Sequence, residues 1–83
     1  MKAEDLLPDD QNRADIRGLS VRKGTVAAFL ANARTWIDPQ ASAVERSVAE
    51  QDMAEALPAL RGVGLFEVLE VRDERLRGWL AER

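Results

Sequence analysis

The chain is 83 residues long and 46% hydrophobic, and its 12 basic and 15 acidic side chains leave a formal net charge of −3. It holds no histidine, cysteine or tyrosine, which removes the usual general base near neutral pH, the strongest side-chain nucleophile and the commonest zinc ligands. A chain this short buries only roughly 60–65% of the surface its unfolded form exposes, so without disulfides its stability rests on helix packing or on pairing with a second copy.

Residues 1–13 show no helical or strand period. Asp9, Asp10, Gln11 and Asn12 follow Pro8, which predicts a frayed N-terminal segment ahead of a single helical domain over 14–83. Leu6-Leu7 is its one apolar pair. The start, Met1-Lys2-Ala3-Glu4-Asp5, lacks the basic and apolar regions of a secretory signal. No apolar run approaches the ~18–20 residues needed to cross a bilayer. A cytoplasmic protein with no membrane contact is the expectation, and the lack of cysteine agrees with it. Next, Ile16, Leu19 and Val21 alternate with polar residues around Gly18, the pattern of a short strand or tight hairpin near 16–22.

Gly24-Thr25 predicts a helix start, with the Thr25 hydroxyl as N-cap acceptor. Val26, Phe29, Leu30, Ala33 and Ile37 then fall within one ~100° arc, with Trp36 beside it. The remaining faces carry Ala27, Ala28 and Ala31 rather than charge. A helix so apolar should be central, with neighbours on more than one side. Asp38-Pro39 ends it, because a residue before proline is pushed out of the helical region.

Ser42-Ala43-Val44-Glu45 has capping-box spacing. Ala41, Val44 and Val48 form a stripe that loses phase near Asp52, and Met53, Ala56, Leu57 and Leu60 start another. A break or kink near Asp52 is therefore expected, with a second disturbance at Pro58. Gly62-Val63-Gly64 is a stop. Residues 65–71 favour a short helix, with a strand over 66–71, and hence an α+β fold, as the alternative. A separate helix follows from an N-cap at Asp73. A helical stripe of Leu65, Val68, Leu69, Leu76, Trp79 and Leu80 should face the core. The fold class is mainly α, a small bundle of three to four short helices.

The charge is unevenly spread: residues 11–35 carry five cations against Asp15, while residues 36–83 carry six arginines against ten acids. Arg17, Arg22, Lys23 and Arg34 are thus candidates for an anion site. The free N–H groups at the Thr25 helix start stand beside Arg22 and Lys23 in sequence. The phosphate-loop order is wrong, however, and Gly62-Val63-Gly64 lacks the third glycine of a dinucleotide fingerprint. No cofactor is expected. Oxygen ligands alone remain for a metal, and no calcium-loop pattern occurs, so no metal is expected. The serines and threonines have no histidine to activate them, and no catalytic residue is nominated. Nucleic acid is disfavoured, because Glu45, Glu50, Asp52 and Glu55 on the second helix would repel phosphates. Trp36 and Trp79 sit at stripe edges and are candidate contacts for a partner.

The stretches 24–32 and 60–66 resemble those of a family of small, uncharacterised bacterial proteins. The resemblance implies a mostly helical bacterial domain with a short extended piece before the first helix, and it carries no functional residue. The reading that emerges is a protein-interaction module binding a protein partner or forming a homodimer. The alternative is weak binding of anionic ligands or nucleic acid through the basic segment 13–34.

Overall fold

The computed structural model describes residues 13–16, 19–22 and 24–83, and of the two short pieces it describes the backbone alone. The segment expected to fray, apart from Arg13, lies outside them. The fold is mainly α. Two strands, β1 (Arg13–Ile16) and β2 (Leu19–Arg22), form an antiparallel hairpin. It pairs Arg13 with Arg22, Ala14 with Val21, Asp15 with Ser20 and Ile16 with Leu19. Four helices follow: α1 (Thr25–Ile37), α2 (Ala43–Gly62), α3 (Leu65–Val68) and α4 (Glu74–Ala81).

The N-cap of helix α1 falls one residue earlier than the expected Thr25. Gly24 is the N-cap, without a side-chain hydrogen bond, and Thr25 is the first helical residue. The helix ends at Asp38, whose extended backbone (ψ 119°) satisfies the restriction before Pro39. The Asp38 carboxylate accepts from the Gln40 amide at 2.8 Å and closes the turn. The capping box of α2 forms in both directions. The Glu45 amide donates to Ser42 Oγ at 3.0 Å, and the Ser42 amide donates to Glu45 Oε1 at 3.0 Å.

The break expected near Asp52 is absent, and α2 runs unbroken past Pro58 to Gly62. The reason is that the early Val44/Val48 stripe is not a core stripe: both valines are exposed. A single run of Ala49, Met53, Leu57 and Leu60 is buried instead, stepping by four, four and three along one face. Pro58 falls on the exposed side, so its ring displaces no core residue. Gly64 then takes the left-handed conformation (φ 81°), which lets the chain reverse into α3 at little cost. After α3, Leu69 takes an extended backbone and residues 69–71 belong to no strand, so the α+β alternative is not adopted. Asp73 caps α4 by accepting from the Leu76 amide at 2.9 Å.

Helix α1 packs chiefly on α2, α4 also touches α1, and α3 and β2 lie against α2. The core joins Phe29, Ala33 and Trp36 of α1 to the α2 run and to Leu76 and Leu80 of α4. Two predicted stripes are therefore rotated. On α1 the buried face centres on Phe29, Ala33 and Trp36, leaving Val26, Leu30 and Ile37 exposed. On the C-terminal stripe Val68 and Leu69 are exposed as well. Only Leu76 and Leu80 of it are fully buried, with Leu65 and Trp79 half-buried against them.

Candidate functional site: an apolar groove beside α1

The rotation of α1 opens a groove. One wall is the exposed side of α1, where Val26, Leu30 and Ile37 remain 41%, 53% and 43% accessible. The other wall is α3 and the stretch that follows it, which presents Leu69. Phe29 and Phe66 meet edge to face across the base, with centroids 5.9 Å apart and planes at 68°, a favourable aromatic arrangement that ties α3 to α1. Ala33, Leu65 and Leu76 complete the floor of a space of about 360 Å³. Its lips are charged: Arg34 stands on α1, and Glu70, Arg72 and Asp73 stand on the opposite side. Such an apolar trough with charge only at its rim takes up apolar surface and excludes ions.

The two tryptophans lie elsewhere. Trp36 and Trp79 are brought together with centroids 6.2 Å apart. The guanidinium of Arg75 lies 5.7 Å from the Trp36 ring, and that of Arg83 lies 4.3 Å from the Trp79 ring. Trp36 is buried, and its indole N–H donates to Glu50 Oε1 at 2.8 Å. Both rings are thus engaged within the chain. A second hollow, of about 240 Å³, lies beside Arg61 and Arg77. Both guanidiniums there serve the fold. Arg61 donates to the carbonyls of Arg83 (3.0 Å) and Leu80 (3.4 Å), closing the end of α4. Arg77 donates to the Val71 carbonyl at 3.1 Å and lies 3.5 Å from Glu70.

Of the nominated basic residues, Arg17 and Lys23 lie outside the described residues, and Arg22 is described only in its backbone, as the last residue of β2. Arg34 is exposed on the groove lip, about half a turn around α1 from Trp36. Periodicity places Val26, Leu30, Ile37 and Leu69 on the apolar helix stripes, and the site is built from them. The signal for α1 was present in its composition: a helix with one charge in 13 residues has more apolar surface than one neighbour covers.

On the far helix, Glu45 is held below the usual carboxylate value by hydrogen bonds from the Ser42 backbone and side chain. Among the described residues no group of three or more acids is placed to hold a metal, and no helix is long and apolar enough to cross a membrane.

Fold and site together define a small helical domain with an open apolar groove. The chain matches no family model, no curated protein and no solved structure.

Proposed function

We propose that this protein is a cytoplasmic interaction module whose α1 groove docks an apolar surface of another protein chain. One observation carries the reading: Val26, Leu30 and Ile37 are all exposed on one side of one helix and border an apolar trough. Scattered exposed aliphatics are ordinary on a protein surface, but a contiguous group along a trough is a recognition feature. The groove suits a helix laid along it, with aliphatic side chains as anchors. Anionic-ligand binding through 13–34 has less support. Arg34 is the only one of its four nominated cations with a described side chain, and it borders apolar surface.

The test is photo-crosslinking in cells with benzoylphenylalanine in place of Leu30, and in place of the exposed Glu55 of α2 as control. A cross-link to another polypeptide from position 30 and none from position 55 supports the docking role. No intermolecular cross-link from position 30, or a cross-link only to residues 1–13 of the same chain, refutes it.

A further inference from the structure

We infer that the occupant of the groove is α1 of a second copy, so that the protein associates as a two-fold dimer with each α1 lying in the other's groove. The inference rests on the docking role proposed above and names its partner. Three features favour a second copy over an unlike protein.

The first is spacing. Val26, Leu30, Ala33 and Ile37 step by four, three and four, which is the seam spacing of paired helices. Ala33 is buried at the floor, while the other three stand exposed above it. A second helix can therefore approach closely over Ala33 and be gripped on either side.

The second is self-complementarity. A two-fold axis demands that one surface patch serve as both donor and receiver. Here the same three aliphatics that line the groove are the anchors a helix needs to fill one. One rotation covers both sets, leaving neither copy with an open groove.

The third is charge. Arg34 is the only charged side chain of α1. The lip facing α1 carries Glu70, Arg72 and Asp73. Asp73 is taken up as the cap of α4, and Glu70 lies 3.5 Å from Arg77, which leaves Glu70 as the acid on that lip open to a second cation. The Glu70 side chain is 79% exposed and within reach of an incoming helix. An unlike partner would need to supply this same pattern, whereas a second copy supplies it without further assumption. A helix of 13 residues is about 20 Å long, so the interface falls below the standard ~800 Å² per partner and the dimer is a weak one.

Sedimentation velocity on the full chain, from low micromolar to near-millimolar concentration, tests the inference. The wild type should pass from monomer to dimer across this range. Leu30→Glu should remain monomeric, with its helical circular dichroism unchanged. Arg34→Glu and Glu70→Arg should each weaken dimerisation at least tenfold, and the double variant should recover it, because the reversed pair meets across the interface. A folded wild type that stays monomeric throughout overturns the inference, as does a dimer indifferent to Leu30→Glu or a double variant no better than the single ones. The cellular cross-link keeps the two readings apart. A product of twice the chain mass from position 30 supports the dimer. A product with a different protein alone overturns the dimer and leaves the docking role standing. No intermolecular product overturns both.

Discussion

Replacing Glu50 with alanine should remove the acceptor that holds the Trp36 indole. The ring is 9% exposed, and its N–H donates to Glu50 Oε1 at 2.8 Å. An indole nitrogen donates only, so the buried group has no other way to be satisfied. Leaving a buried donor unpaired costs ~1–3 kcal/mol, and a charged acceptor places the loss toward the upper part of that range. Alanine is the better helix former at position 50, which returns a few tenths of a kcal/mol. A net loss of ~1–2 kcal/mol remains. An ordinary domain of this size is stable by ~4–12 kcal/mol, so the change removes a visible share. With a urea dependence near ~1 kcal/mol per molar, the unfolding midpoint should fall by ~1–2 M. Glu50→Gln retains a carbonyl acceptor and should cost less than half as much. Trp36→Phe removes the donor, and in that background Glu50→Ala should cost almost nothing. Urea unfolding followed by circular dichroism on the wild type, the three single variants and the double variant measures the coupling directly. An unchanged midpoint for Glu50→Ala, or the same loss in both backgrounds, refutes the view that this bond secures Trp36.

Leu76 is 1% exposed under the groove, so Leu76→Ala should cost ~2–5 kcal/mol in a denaturant titration. Leu30→Ala, at a site 53% exposed, should cost under ~1 kcal/mol by the same assay; comparable losses would show that the groove wall is a core. Gly64→Ala places a Cβ at φ 81° and should lower stability by ~1–2 kcal/mol. By contrast, Gly78→Ala meets open space inside α4 and should raise it by ~0.5–1 kcal/mol; calorimetric midpoints moving the other way would contradict this. The lowered pKa of Glu45 means that its carboxylate stabilises the native chain above about pH 4.5, and that this contribution fades as pH falls through the lower native value. Glu45→Gln should therefore be less stable than wild type at pH 6, and the gap should narrow on acidification. A constant gap in thermal midpoints between pH 6 and 3 would refute the assignment.

Local chemistry was legible in the chain. The Asp38-Pro39 stop, the Ser42/Glu45 box, the Gly64 reversal and the Asp73 cap each depend on a few neighbouring residues, and each stands where the residue types place it. Single-residue backbone preferences and short-range hydrogen bonds carry that information without help from distant parts of the chain. The faces were less legible. Periodicity shows that α1 has an apolar arc, but Phe29 and Leu30 both belong to it, and only the position of α2 decides that Phe29 is buried and Leu30 is not. The same holds for Val44 and Val48 against Ala49 and Met53 on α2.

The two tryptophans illustrate the limit most clearly. Their place at stripe edges was visible in sequence, but their meeting at 6.2 Å, and the engagement of Trp36 by Glu50, required α1, α2 and α4 to be packed together. The groove arises in the same way. Its apolar residues come from positions 26 to 37 and 65 to 76, separated by the whole of α2. The sequence by itself determined where helices begin and end, that chemistry based on histidine or cysteine is excluded, and that α1 carries more apolar surface than a single neighbour covers. Only the tertiary structure decided which part of that surface stays uncovered, because burial is a property of what packs against a face and not of the face alone.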